Sequence, residues 1–537
     1  MSFFNKKFTF TQPDNETLVV RGWGNQFHAV FETLDGYTVV RTPAADGVYE
    51  YAQVAPSGHL EPSGLRPGRD YPEGLHKHLR PARGAKEIIL RAVRKQKKAF
   101  KKTSAGKHED EEPEEEGAGV QEEAAPGQGV HDDGSSSSAS PVSPPSASVG
   151  DRPHGAPPAT STLGPVQGLC LLIDFPDLHG HIHPSDVNNF FNQKGYSGDN
   201  NSGSVYDYFN SVSGGAFKYN ITATEWVTAR KNRQYYLEEN VPFTERAQVL
   251  VSDALADLKK TGFDFSSFST DGAGRIKGLS VFYAGDVNNN WSKGLWPHSF
   301  HLDAPVSLSS GVKAFKYQIT AISSELSLGT FCHENGHMVC DFPDLYDYGD
   351  DGTLSSGIGA FCLMCIGNVH SEKNPTRISV YLRYRAKWVT PRPITVSGQY
   401  TLRVGEALIF SRTSKEYFLF ENRFAVDWDK HLPASGLAIW HIDENGKQEY
   451  QDATAAKHYE CTLVQADGRS DMEKKKDYIG DAGDLFPARL HHGTLLINSV
   501  NSTHPQFHWW NGSPVKLDIR NISNPGSAIT MDITVLP

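Results

Sequence analysis

The segment 103–163 constrains this chain more than any other. It runs through HEDEEPEEEGAGVQEEAAPG and then GSSSSASPVSPPSASVG. Acids, serines and prolines in this density, with few large apolar side chains, cannot bury enough surface to offset the entropy of ordering. Like charge and proline keep such a stretch extended, so a flexible linker of about 60 residues is expected. Folded parts must lie on either side of it. With 537 residues, 38% of them hydrophobic and 11% aromatic, the chain has material for several domains and a large core.

Before the linker, residues 1–83 read as a small β-rich unit. Leu18–Arg21, Phe27–Phe31, Tyr37–Val40 and Val48–Ala52 are short strand-like runs, separated by Gly24, Asp35-Gly36 and Asp46-Gly47. Residues 84–102 (GAKEIILRAVRKQKKAFKK) predict a basic helix, either a solvated one or a processing region cut at Lys or Arg. It joins the linker to make a connecting region, 84–163.

After the linker the pattern changes twice. Over 164–394 the near-continuous apolar run VQGLCLLIDF (Val166–Phe175) suits a buried strand, as does Ile276–Ala284. Ser204–Phe209 and Thr244–Lys259 predict helices. Strands alternating with helices predict an α/β domain. Over 395–537 short alternating strands recur: Tyr400–Val404, Glu416–Phe420, Leu437–Ile442, Thr494–Ile497, Lys516–Ile519 and Ile529–Val535. These predict a β-sandwich-like domain.

Composition excludes some functions. A net charge of −11 disfavours nucleic acid as a partner, although much of the acid lies in the linker. No apolar run approaches the roughly 20 residues that span a bilayer. The stretch MSFFNKKFTFTQPDNETLVV has no apolar h-region and no small-residue cleavage site, so no secretory signal is expected in it. Of six cysteines, Cys332, Cys340, Cys362 and Cys365 lie close together in sequence. Cys362-x-x-Cys365 could suggest a zinc knuckle or a redox pair, but no second C-x-x-C accompanies it, so buried free thiols are expected, with one local disulfide as the alternative.

The chemistry concentrates in Cys332–Tyr348, CHENGHMVCDFPDLYDY. His333, Glu334 and His337 form H-E-x-x-H. Residues four apart on a helix lie one turn above each other. Both imidazoles therefore reach one metal ion, and Glu334 reaches a water beside it, as in zinc hydrolases. Asp341, Asp344 and Asp347 offer a third ligand. The helix is expected to start with Ser323 or Ser324 as cap and Glu325 in its first turn, and to end at about Cys340, before Pro343. Gly336 costs such a helix roughly 1 kcal/mol against Ala, so close packing beneath the metal is its expected use. The β-prone run Tyr317–Ile322 is the candidate edge strand for an extended substrate.

These stretches resemble the M6 family of metallopeptidases, the immune-inhibitor-A-like group. GSVYDYF (Gly203–Phe209) followed by SGGAF, Leu295–His298 (LWPH), HENGHMVCDFPDLYD, GIGAFCLM (Gly357–Met364) and the Pro375…Trp388-Val389 block are similar to family blocks. So are EYFLFENR (Glu416–Arg423), GLAIWHIDE (Gly436–Glu444), DAGDLFP (Asp481–Pro487) and WWNGSP (Trp509–Pro514). WGNQFHAVFETLDGYTVV resembles the family's pro-region. The resemblance covers most of the chain outside the linker. It implies an α/β (α+β) metzincin-like zinc peptidase domain between an N-terminal pro-region and the C-terminal domain. It also implies a secreted, monomeric zinc endopeptidase made as a zymogen, acting on protein or peptide substrates with one catalytic Zn2+.

Carried over by position, His333 and His337 are zinc ligands and Glu334 is the general base. The family pattern is H-E-x-x-H-x-x-G-x-x-D. Here Cys340 stands where glycine is usual, and one extra residue precedes P-D-L-Y-D. Alignment on that run makes Asp344 the third ligand, with Asp341 as the alternative. Met364 resembles the Met-turn residue. The tyrosine that some metzincins carry two residues later is Ile366 here, which leaves Tyr346, Tyr348 or His298 as substitutes for its transition-state donor. Among other polar residues, His441 and Asp443 suit a satisfied structural histidine better than a metal site. Asp481 and Asp484 suit either a structural Ca2+ loop or an Asp-stabilised turn. Trp509 and Trp510 are expected in the core. The competing function is a catalytically inactive M6-like adhesin or binding protein.

Overall fold

A computed structural model describes residues 3–80 and 162–537, except 15, 26–27, 43–46, 239–242, 287–294, 296, 310, 348–354, 447, 449–457, 476–477 and 491–494. The basic segment 84–102, the linker up to residue 161, and Tyr348 lie outside the described residues.

Alternation of apolar and polar residues builds the N-terminal unit. Strands β1 (Phe3–Thr11), β2 (Thr17–Asn25), β3 (His28–Thr33), β4 (Thr38–Arg41), β5 (Tyr49–Val54) and β6 (Leu60–Pro62) form one antiparallel sheet in sequence order. Phe8, Phe10, Val20, Val39 and Tyr51 are its buried core. Leu18–Arg21 falls within β2, and the other expected runs meet β3, β4 and β5 except at their first residues: Tyr37 and Val48 precede the strands, and Phe27 lies outside the described residues. Gly24, expected at a turn, lies inside β2. β1 and β6 are additions that propensity did not single out.

The second unit begins with β7 (Gly164–Asp174), the predicted buried run. Helices α1 (Pro184–Asn192) and α2 (Val205–Val212) follow, then β8 (Phe217–Thr228), α3 (Phe243–Lys260), β9 (Leu279–Ala284), β10 (His298–Ser309) and β11 (Val312–Ile322). The sheet order is β10-β11-β9-β7-β8. β10 runs antiparallel to β11 and every other pair is parallel. α3 covers one face through Ala247, Leu250, Val251, Ala254 and Leu258. On the other face Cys170, Leu172 and Phe282 pack against α1, α2 and the helix that carries the histidines, α4 (Leu328–Cys340). Among the described residues no helix is long and apolar enough to cross a membrane.

Two expectations change. Tyr317–Ile322 is not an edge strand: it is the C-terminal half of β11, which lies between β10 and β9. The sheet ends at β10 and β8. Side chains of α1 already serve β8. Asn192 bonds both the N–H and the C=O of Ile221, and Asn188 Oδ1 accepts from Ala223 N–H. Carboxamides standing in for a neighbouring strand blunt that edge, which leaves β10 as the edge beside α4. The second change is the helix start, which falls at Leu328 rather than near Ser324. Long-range bonds hold the intervening chain out of the helix. Leu326 N–H donates to Asp199 Oδ2, and Asn201 Nδ2 donates to the Leu326 carbonyl, each at 2.9 Å. Local cap preference loses to these contacts.

The C-terminal strands form two main sheets. β12 (Arg392–Pro393), β14 (Ala407–Ser411), β15 (Glu416–Arg423), β16 (Gly436–Asp443) and β17 (Cys461–Leu463) make one, and β13 (Gly398–Arg403), β21 (Ala528–Val535) and β20 (Leu517–Arg520) the other. β18 (Ala488–Leu490) and β19 (Leu495–Ile497) form a separate pair. Leu408, Phe418, Phe420, Leu437 and Ile439 face the second sheet, sandwich fashion. Their neighbours Ile409, Tyr417, Leu419, Trp440 and Ile442 face the other way and join the core around α4. Period-two alternation thus gives β14–β16 two buried faces, and the core around α4 continues across residue 395 without a break.

Candidate metal centre

Both histidines of H-E-x-x-H stand on α4, one turn apart. His333 Nδ1–H donates to the Leu363 carbonyl at 2.9 Å, and His337 Nδ1–H to the Phe342 carbonyl at 2.6 Å. A carbonyl only accepts, so Nδ1 carries a proton in both rings and each Nε2 faces inward, where the neutral ring offers its lone pair to a metal ion. The two Nε2 atoms are 3.1 Å apart. Asp344 Oδ1 is 3.2 Å from the first and 3.3 Å from the second. Among the described residues this is the one group of three His, Cys, Asp or Glu side chains whose ligand atoms lie within 4.8 Å of one another. Donors around a tetrahedral zinc at about 2.0–2.1 Å would stand roughly 3.3 Å apart. The triangle therefore fits one face of such a site.

The electrostatics agree. Burial pulls His337 down, but the Asp344 carboxylate and then Glu334 outweigh it and hold the ring up at about 9. Burial pushes Asp344 up, but the imidazoles of His337 and His333 outweigh it and hold the carboxyl well below the usual range. Each group gains from positive charge at the point where the three atoms meet.

Asp341 lies elsewhere. It caps α4 in the left-handed conformation, with φ 51° and ψ 34°, and its Oδ1 accepts from Lys316 Nζ at 2.6 Å. This places the extra residue of the motif. In H-x-x-G-x-x-D the glycine suits a left-handed turn, and the last ligand follows three residues later. Here the helix includes Cys340, the left-handed residue is Asp341, and Asp344 follows it by three. One added helical residue shifts the whole turn, and an aspartate tolerates that backbone better than most non-glycine residues.

Met364 lies directly beneath the helix: a Cβ on Gly336 would stand 2.6 Å from Met364 Sδ. Gly336 therefore buys closeness between the metal helix and the turn below it. Ile366 is buried in the same core. Of the substitutes for a tyrosine donor, His298 is on the wrong face of the sheet. It is paired with Ile319 and hydrogen-bonded to Tyr317, both in the core under α3. Tyr346 is buried beside the site, its ring 6.4 Å from that of His333. Burial, then the Asp344 carboxylate, pushes its hydroxyl well above the usual range. Glu334 is fully buried on the same helix turn. A further contact was not read from the sequence. Asn335, inside the motif, accepts from Tyr219 OH at 2.9 Å and anchors α4 to the sheet. A polar residue at a sheet-facing position of an otherwise apolar helix face was the available signal.

The remaining polar residues are structural. His441 is buried against Glu416 and stacked on Phe418. Asp443 accepts from His458. Trp509 is buried in the sandwich core, and Trp510 stacks on His441 and His458. Asp481 and Asp484 bind their own loop. Gly483 N–H donates to Asp481, while Asp481 N–H and Tyr478 OH donate to Asp484. Among the described residues they join no third carboxylate at metal-binding spacing. All six cysteines are free and buried, including Cys362 and Cys365.

No protein-family model matches the chain. The chain is similar to the "Pre-pro-metalloprotease PrtV" of Vibrio cholerae serotype O1, in strain M66-2 and in strain ATCC 39315 / El Tor Inaba N16961. Identity is 29% over 236 residues, covering 34% of this chain and 25% of each relative. The match thus spans a quarter of the length of those relatives. This distant likeness supports a metallopeptidase relationship.

Two outcomes test the site. Asp344→Asn should lose bound metal on dialysis while Asp341→Asn keeps it; metal content after dialysis decides, and the reverse pattern would make Asp341 the ligand. Away from the metal, burial pushes Asp484 up to about 7, aided by the neighbouring Asp481 carboxylate, although the Asp481 N–H opposes it. A carboxyl with a raised folded pKa binds more protons folded than unfolded. Its contribution is therefore full below about pH 4, the ordinary unfolded value, and is lost as pH rises through about 7. Thermal melts from pH 4 to 8 should show Asp484→Asn with a flatter pH dependence than wild type in that window.

Proposed function

We propose that the chain is a zinc-dependent endopeptidase of the M6 type, with a metzincin-like catalytic unit in which His333, His337 and Asp344 hold one Zn2+. One observation carries the reading. Three acceptor atoms, two of them ring nitrogens whose protons are committed to backbone carbonyls, converge within 3.3 Å beside a glutamate of H-E-x-x-H. The PrtV likeness and the five-stranded sheet with an antiparallel edge strand support it.

A zinc ion held by His333, His337 and Asp344 would supply a Lewis acid and would lower a water's pKa to about 7. Leu363 and Phe342 keep both histidines in the liganding tautomer. Glu334 takes the proton of the attacking water on a carboxylate oxygen and hands it to the leaving amine nitrogen. Its burial keeps bulk water from competing for that proton. An extended protein or peptide substrate pairs with the outer edge of β10. The blocks that resemble those of secreted enzymes, and the pre-pro designation of the Vibrio relatives, support export.

We also propose that the N-terminal sheet is a pro-region. Its Lys7 and Phe8 line a cavity of about 470 Å³ together with Ser323, Ser327, Thr330 and Glu372, at the start of α4. Latency would then act on the helix that carries the ligands.

Glu334→Gln should retain zinc and lose casein hydrolysis, whereas His337→Ala loses both. A Glu334→Gln protein as active as wild type excludes the role given to Glu334. An inert, zinc-replete wild type would favour the adhesin alternative. Limited trypsin cleavage near Lys95–Lys102 should raise activity, and unchanged activity after complete cleavage argues against latency.

A further inference from the structure

The start of α4 is held from outside the helix. A helix leaves its first N–H groups without internal partners, and the side chain of Ser327, the N-cap residue, bonds none of them. Leu328 N–H instead donates to Asn201 Oδ1 at 3.2 Å. Gly329 N–H donates to the Glu372 carbonyl at 2.8 Å, and Thr330 N–H to Glu372 Oε2 at 3.0 Å. The Thr330 hydroxyl donates to Glu372 Oε1 at 2.9 Å. One residue thus serves two backbone donors and a hydroxyl of the first turn. Its carboxylate also sits at the helix end where negative charge is favoured.

The approach of Glu372 needs Gly329. A Cβ there would stand 2.8 Å from Glu372 Oε2 and 2.5 Å from the Asn368 carbonyl. Lys373 extends the clamp: its Nζ donates to the Leu326 carbonyl at 2.8 Å, and its own carbonyl accepts from Ser202 N–H at 2.9 Å. On the far side, Asp199 and Asn200 both adopt left-handed backbone, with φ 52° and 63°. Aspartate and asparagine adopt this backbone more readily than other non-glycine residues, and it turns Asp199 and Asn201 towards the chain at Leu326 and Leu328. Three chain segments, 199–202, 326–330 and 372–373, are therefore locked together within about two turns of His333.

We propose that Glu372 is a positioning residue for the metal centre. Its bonds to Gly329 and Thr330 fix α4 along its axis, and so set the height of His333 and His337 against Leu363, Phe342 and Asp344. Glu372 follows Leu363 in the same stretch of chain. The segment that orients the His333 ring therefore also pins the helix that carries it. The proposal rests on the metallopeptidase reading for the identity of the metal.

The test uses the full chain as wild type, Glu372→Ala and Glu372→Gln. Zinc affinity is measured by competition with a chelator, and apo proteins are followed by melting and by hydrogen exchange over Gly329–Glu334. Glu372→Ala should weaken zinc binding roughly 10-fold or more, the effect of losing a partner that orients a ligand. It should also speed exchange in that turn. Glu372→Gln keeps an acceptor for Thr330 and should recover most of the affinity. Unchanged zinc affinity in Glu372→Ala, with any loss confined to apo melting, would make Glu372 a stability residue only and overturn the proposal. A wild type that binds no zinc would overturn the metallopeptidase reading instead. Exchange then still decides the clamp, because unaltered exchange in Glu372→Ala would refute it.

Discussion

A carboxylate and two imidazole nitrogens directed at one point repel one another unless a proton or a metal cation stands among them. His333 Nε2, His337 Nε2 and Asp344 Oδ1 are in that position, 3.1 to 3.3 Å apart. The arrangement persists because each imidazole spends its proton on a carbonyl behind it. Those two carbonyls come from different places: Phe342 from the turn that ends α4, and Leu363 from the chain that passes under it. The His-His-Asp cluster is thus a constraint on three segments at once. Gly336 and Met364 set how closely the lower segment approaches.

That lower segment is held in turn by the C-terminal part of the chain. Arg423 on β15 is fully buried, bonded to Asp429 through two nitrogens at 2.9 and 2.7 Å, and donates to the Phe361 carbonyl at 2.6 Å. Glu421, also on β15, accepts from Arg383 and from Trp440. A buried charge without its partner is costly, whereas a complete network fixes geometry. With both faces of β14–β16 buried, this sheet is a wall of the core around α4 as well as half of a sandwich. That explains why EYFLFENR and GLAIWHID read as continuous apolar runs carrying a few charges rather than as half-exposed strands.

Much of this was legible in the residues. H-E-x-x-H has a fixed helical geometry, so His333, Glu334 and His337 share a turn wherever the helix lies. The apolar run of β7 and the i, i+3, i+4 pattern of α3 state their own burial. Strand alternation after residue 395 announces sheets. Local rules failed where distant segments compete with them. Ser323 and Ser324 are good cap residues, yet the helix starts later because Asp199 and Asn201 take the backbone groups of Leu326. Tyr317–Ile322 has the composition of a strand, but composition does not say which strands flank it.

The sequence by itself determined the pair of histidines, the glutamate between them and the presence of carboxylates within reach. Side-chain spacing on a helix is fixed by its 3.6-residue period. Which carboxylate completes the group was decided only in three dimensions. Asp341 and Asp344 are both close in sequence. A left-handed residue at 341 turns the first toward Lys316 and returns the second to the histidines. That choice depends on a backbone angle and on a lysine from another strand, and neither is encoded in the spacing of the motif.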